Sequence, residues 1–242
     1  MTSTPDEAPA DEQEWWADPS LPWQHQPTRA DLACLAAMGV LGLYSLAMIP
    51  LRPLLLTQAP FVLAGLGYGA GLAYVGALMA TSGVLGWALI LIPATAMAVA
   101  IASVYWWAGN LWGRTIVDQW AAKKSERTQR RWDKAWDLTH RFAIGAIVLA
   151  FIPLPLPMSV MLVAVGAARV RYRTFLGVAL LSAGAVKAAW LALGYQLGEP
   201  AVQVVEAYAW VLWLMSLAIL LGMVGAYVWR KRTRPDAADA VE

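Results

Sequence analysis

Long uncharged apolar runs alternate with short charged clusters along the chain, and the runs have the lengths of membrane elements. Leu32 to Ile49 is long enough to cross a bilayer at about 1.5 Å per residue, and Pro50 is expected to end it. From Pro53 to Gly113 there is then no charged side chain for about sixty positions, too long for one span and readable as several membrane-embedded pieces. Gly65, Gly67, Gly69 and Gly71 fall at alternate positions, a cluster that breaks helix and permits tight reversal. The arms on either side, Leu54 to Ala64 and Leu72 to Thr81, are each about half a bilayer long, which predicts a re-entrant hairpin tipped by Gly67 and Gly69. Val84 to Trp107 follows as a full span and ends in the interfacial run Tyr105, Trp106, Trp107.

The second half repeats the pattern. A polar loop, 114–141, carries Lys123, Lys124, Arg127, Arg130, Arg131 and Lys134 against Asp118, Glu126, Asp133 and Asp137. Two half-length arms come next, Phe142 to Ile152 and Met158 to Ala168, separated by Pro153, Pro155 and Pro157. These prolines remove backbone donors and disfavour helix at the preceding residues, which predicts a second hairpin. After Arg169, Arg171 and Arg173 stand two full spans, Thr174 to Leu197 and Tyr208 to Trp229, joined by a short loop holding Glu199 and Glu206. Residues 1–30 are rich in Asp, Glu and Pro and read as a disordered acidic tail. Its Trp15, Trp16 and Trp23 suit either the headgroup region or a solvated tail. The membrane domain is thus 31–229, and 230–242 is a basic tail beginning at Arg230, Lys231 and Arg232.

Cytoplasmic loops carry the Lys and Arg excess, which favours the second hairpin over the alternative of one full span through the prolines, a layout that leaves one basic cluster outside. If the second hairpin enters and leaves from the cytoplasm, the 114–141 loop, the 169–173 patch and the C-terminal tail all lie inside. The Glu199 and Glu206 loop lies outside, the first hairpin enters from outside, and the N-terminal tail is cytoplasmic. The expected fold is therefore an all-α polytopic membrane protein: an inverted repeat with two opposed re-entrant helical hairpins plus full transmembrane helices.

Composition agrees with a membrane chain and narrows the chemistry. Of 242 residues, 60% are hydrophobic and 14% charged, against roughly 45–50% and 25% in soluble domains. A net charge of +2 is too small for a nucleic-acid binder. The single cysteine, Cys34, excludes an internal disulfide framework, and His25 and His140 have no second ligand at metal spacing, so neither metal nor cofactor is expected. No nucleophile, base and orienting group can be assembled in the apolar half, so an enzyme is not expected either.

The run Trp106-Trp107-Ala108-Gly109-Asn110-Leu111-Trp112-Gly113-Arg114 looks like an aromatic-x-x-Gly-x-x-x-Gly signature. With Phe151-Ile152-Pro153, Ala164 to Ala167, Phe175 and Gly194-Tyr195-Gln196-Leu197-Gly198, it makes the chain resemble the DedA (SNARE-associated, VTT-domain) membrane proteins over roughly 51–198. Gly109, Gly113, Arg114, Gly194 and Gly198 carry most of the likeness. The resemblance implies a multi-pass protein of the bacterial inner membrane that translocates a phosphate-bearing lipid, as a polyprenyl phosphate flippase or a phospholipid scramblase. Typical members carry a carboxylate at the first tip and arginines around the second. This chain has Gly67, Tyr68 and Gly69 at the first tip, and Ala150 and Leu156 where those arginines would fall, so neither feature carries over.

A headgroup site is then expected from the few polar residues in apolar surroundings. Lys187 lies within a full span, where a charge costs roughly 2.5 to 3.5 kcal/mol, so it is expected to face a polar cavity or partner, with snorkelling or structural pairing as the alternative. Arg52, between Pro50 and Pro53, suits phosphate, or else simple interfacial anchoring. Thr57, Gln58 and Ser182 are the other polar candidates, equally able to serve as interhelical hydrogen-bond partners. The pairs Gly109 and Gly113, and Gly194 and Gly198, have the small-xxx-small spacing of close helix packing. The expected partners are membrane lipids, including polyprenyl phosphate, and a second copy of the chain. A different class of function, a non-transporting scaffold, would use the basic 114–141 loop with Trp120, Trp132 and Trp136 to recruit a protein or anionic lipid.

Overall fold

Pro50 does not end the first helix. In the computed structural model, which describes residues 21–23, 25–83, 86–113, 115–116, 129–130, 133–134, 136–137, 139, 142–152 and 157–233, α1 runs Arg29–Gln58 through both Pro50 and Pro53. Ending a helix leaves more backbone groups unpaired than the two donors that the prolines lack, and the helix continues until Ala59, the residue before Pro60. The first hairpin arm is correspondingly shorter than expected: α2 is only Pro60–Gly65, and α3 is Gly69–Ser82. A full-length helix follows, α4 Trp87–Trp112. The second hairpin is α5 Ala143–Phe151 and α6 Met158–Ala167, and after it come α7 Tyr172–Leu197, α8 Glu199–Ala207 and α9 Ala209–Thr233.

Every element is helical, and no strand occurs among the described residues. Among the described residues three helices are long and apolar enough to cross a membrane: α1, Leu89–Trp112 of α4, and α7. The pair α8 and Ala209–Met223 of α9, bent by 50°, qualifies as a fourth if taken as one broken span. At about 1.5 Å per residue, neither α2, α3, α5 nor α6 reaches the roughly 30 Å of a hydrocarbon core. The stretch around Glu199 and Glu206, expected as a loop, contains the helix α8. Its signals are Gly198 after α7, Glu199 in the first turn, Pro200 at its start and a Gln203 to Glu199 hydrogen bond of 3.1 Å.

The chain divides into two compact units, residues 1–38 with 102–175, and 39–101 with 176–242. In the first, α6 is buried from Val160 to Gly166 and packs on α5, whose buried residues are Ala146, Ile147 and Ala150. Trp106 stacks on Phe175 at 5.8 Å and meets Tyr172 at 5.0 Å. In the second, Ala64, Leu72, Val75, Met79, Ile90, Ala94 and Leu191 form one core, with Leu91 and Trp190 against it.

Several expectations fall outside the described residues: the acidic tail to residue 20, Arg114, His140, Pro153, Pro155, most of the 114–141 loop including Trp120 and Trp132, and the tail from 234. Of that loop, Trp136 and Thr139 are buried. Trp23 is also buried, tilted against Trp112 at 5.9 Å, so this part of the N-terminal segment packs on the protein and is not solvated.

Candidate functional site

The tip of the first hairpin is a helix stop. Gly67 adopts φ +82°, its N–H donates to Ala64 O at 2.8 Å, and the Tyr68 N–H donates to Leu63 O at 3.3 Å, the paired bonds of a Schellman ending. A β-carbon at Gly67 would come 2.9 Å from the Ala94 carbonyl, so glycine is required both by conformation and by space. Gly69 begins α3 beneath Trp190, whose indole a β-carbon there would meet at 3.0 Å.

Both candidate cations converge on this tip. The Lys187 ammonium donates to the Gly67 carbonyl, and the Arg52 guanidinium lies 4.4 Å from the Tyr68 ring centroid, with Nη2 donating to the Tyr68 hydroxyl at 3.4 Å. Lys187 is half-buried and Arg52 exposed. Among the described residues no carboxylate forms a salt bridge with either. Two positive groups thus flank two consecutive residues of a hairpin too short to cross the bilayer, with the lysine using an N–H to hold the turn.

The other polar candidates are placed differently. Thr57 donates to Leu54 O at 3.0 Å, the local bond by which a threonine satisfies itself on its own helix. Gln58 is exposed at the end of α1. Ser182 is half-buried on α7, about one and a half turns before Lys187. Pro157 precedes α6 as its N-cap residue.

The motif glycines divide into two roles. A β-carbon at Gly109 would overlap the Val163 carbonyl, and one at Gly166 would overlap the Trp106 carbonyl and sit 2.8 Å from the Asn110 amide. In the other unit, a β-carbon at Gly194 would overlap the Ala73 carbonyl. One at Gly76 would overlap the Leu191 carbonyl and sit 2.9 Å from the Tyr195 amide. The register is the same in both units. The long-helix glycine faces the carbonyl three residues before the hairpin glycine, and the hairpin glycine faces the carbonyl three before, and the amide one after, the long-helix glycine. Gly113 and Gly198 do not pack in these seams. They end α4 and α7 with φ +59° and +54°, their N–H groups donating to Gly109 O at 2.9 Å and Gly194 O at 3.0 Å.

One polar constellation lies outside the expected set. Asp31 is 2% exposed and accepts from Thr28 N at 2.9 Å, Thr28 Oγ1 at 2.7 Å and Trp112 Nε1 at 2.8 Å, with His25 Nε2 at 3.4 Å. The Asp31 N–H returns a bond to Thr28 Oγ1 at 3.3 Å, which completes a capping box at the start of α1. Its sequence signal is the Thr28-x-x-Asp31 spacing before an apolar run. The tryptophan partner, far away in the chain, has no such signal. Among the described residues no group of three or more His, Cys, Asp or Glu side chains is arranged to hold a metal ion.

Compared with protein-family models, curated proteins and solved structures, the chain matches none.

Proposed function

We propose that this membrane protein is a DedA-like transporter that translocates a phosphate-bearing lipid, as a polyprenyl phosphate flippase or a phospholipid scramblase. The observation that carries the reading is the convergence of Arg52 and Lys187 on Tyr68 and Gly67, at the tip of a hairpin too short to cross the bilayer. A lysine kept in an apolar span without a salt-bridged carboxylate is costly, and anionic ligands are what such groups recognise. Phosphate would take Arg52 by paired donors and the remaining N–H groups of Lys187, while the tails stay in the bilayer.

The equal glycine registers support an internal repeat of hairpin and long helix, and the distribution of basic clusters supports its inversion in the membrane, with both termini cytoplasmic. In this reading the hairpins are re-entrant. The protein sits in a bacterial inner membrane, and no chemical step is involved.

The test is reconstitution of the full chain in proteoliposomes, with a short-chain polyprenyl phosphate and a fluorescent phospholipid supplied separately. Movement of the polyprenyl phosphate alone, lost in Arg52→Ala and Lys187→Ala, identifies a selective flippase. Movement of both lipids identifies a scramblase. Rates in both variants equal to wild type would remove these residues from the site, and no movement of either lipid by wild type would reject transport.

A further inference from the structure

A groove of about 260 Å³ lies beside the turn of α1 that bears Arg52, lined by Pro50, Leu51 and Leu54 of α1 and by Trp213, Ser216, Leu217 and Leu220 of α9. We infer that it seats one acyl chain of an anionic, ester-linked glycerophospholipid, with Ser216 Oγ donating to the acyl ester carbonyl and Arg52 taking the phosphate. The inference rests on the lipid-handling reading above and names the class of lipid.

Ser216 is the first support. It is 7% exposed, it lines the groove, and its Oγ has no hydrogen-bond partner. A serine within a helix ordinarily returns its hydroxyl to the carbonyl four residues back, and this one does not. An unpaired buried hydroxyl is destabilising, and in an apolar groove water does not supply the missing bond. A tail carrying one carbonyl near its head does. Polyprenyl phosphate lacks that carbonyl, so the same hydroxyl discriminates between the two lipid classes.

Position in the membrane is the second support. Arg29 and Arg52 bracket the uncharged stretch of α1 from 32 to 51, which at about 1.5 Å per residue is roughly one hydrocarbon thickness, so Arg52 stands at an interface. On α9 the exposed indoles of Trp210 and Trp213 mark an interfacial belt, with Ser216 and Leu220 successively deeper. The remaining lining is apolar, as a chain of methylenes requires. Arg52, next to Leu51 of the lining though not itself part of it, is the nearest positive charge in the sequence for an anionic head.

The test uses the full chain purified in detergent and native mass spectrometry of retained dioleoyl phosphatidylglycerol against its dialkyl ether counterpart. Wild type is expected to retain the ester lipid about three- to tenfold better, the worth of one hydrogen bond. Ser216→Ala is expected to abolish that preference, and Leu217→Trp, which fills the groove, to lower retention of both lipids. Equal retention of ester and ether by wild type would overturn the role of Ser216. Unchanged retention in Leu217→Trp would overturn the groove, as would a shift from dimer to monomer in that variant with lipid retention intact, which would make the groove a seam between two copies. Should Leu217→Trp fail to fold, the ester preference and its loss in Ser216→Ala still decide the matter. Lack of transport by wild type with the ester preference intact counts against the transport reading alone.

Discussion

Lys187 donates its ammonium hydrogen to the main-chain carbonyl of Gly67, 120 residues earlier in the chain. The bond joins a span residue to the turn of the hairpin, where the backbone leaves helical geometry at Gly67 and Tyr68, so the charge acts on the shape of the tip as well as on any ligand. Lys187→Met, close in length and neutral, removes a charge-assisted bond worth about 1.5–3 kcal/mol. It is expected to slow lipid movement about ten- to a hundredfold while the protein still folds. Translocation rates beside thermal melting in detergent check this.

The seams give a sharper contrast. Gly109→Ala and Gly194→Ala must each push two backbones apart, and a melting loss of at least about 1–3 kcal/mol is expected, the cost of overpacking. Gly42→Ala on α1, where a β-carbon meets nothing within 4 Å, is expected to be neutral or to stabilise by about 0.5–1 kcal/mol through helix propensity. Melting curves of the three variants side by side measure the difference.

Asp31→Ala strands the donors of Thr28 and the Trp112 indole, and a loss of about 2–4 kcal/mol is expected from the cap and the buried bonds together. Trp112→Phe removes one of those bonds. Because the two side chains share it, the double variant is expected to lose less than the sum of the single ones, which a double-mutant cycle reads directly.

Orientation is testable because the lone Cys34 is fully buried, which gives a silent labelling background. Gln203→Cys on α8 and Arg130→Cys in the basic loop, both on poorly buried positions, are expected to react with a membrane-impermeant maleimide from opposite faces. Gln203 should label in intact cells and Arg130 only after the membrane is opened. Labelling of both from one side would overturn the inverted arrangement.

Lys187 and Arg52 stand out in the sequence because an unbalanced charge in apolar surroundings has few explanations. What each touches is hidden there, since Lys187 meets a backbone carbonyl and Arg52 meets a tyrosine whose ring and hydroxyl are common enough to carry no signal. The glycines at the first tip are legible as a reversal, whereas the end of α1 is not. Pro50 reads as a stop, but it removes a single donor, whereas a stop leaves several backbone groups unpaired. The small-residue spacing foretells close packing, yet only Gly109 and Gly194 pack, because Gly113 and Gly198 are each held at the helix end in left-handed backbone. The Asp31 cap has a local pattern, while its link to Trp112 depends on tertiary placement.

The discontinuity of the second unit bears on how the protein is made. The Gly67 carbonyl leaves the ribosome 120 residues before the lysine that pairs with it, about 6–24 s at ordinary synthesis speeds. The companion seam at Gly109 and Gly166 closes sooner, from segments nearer in the chain. The early hairpin must therefore wait in the bilayer or at the insertion machinery with its seam glycines uncovered. A truncation ending before Lys187 should be the species that quality-control proteases find first.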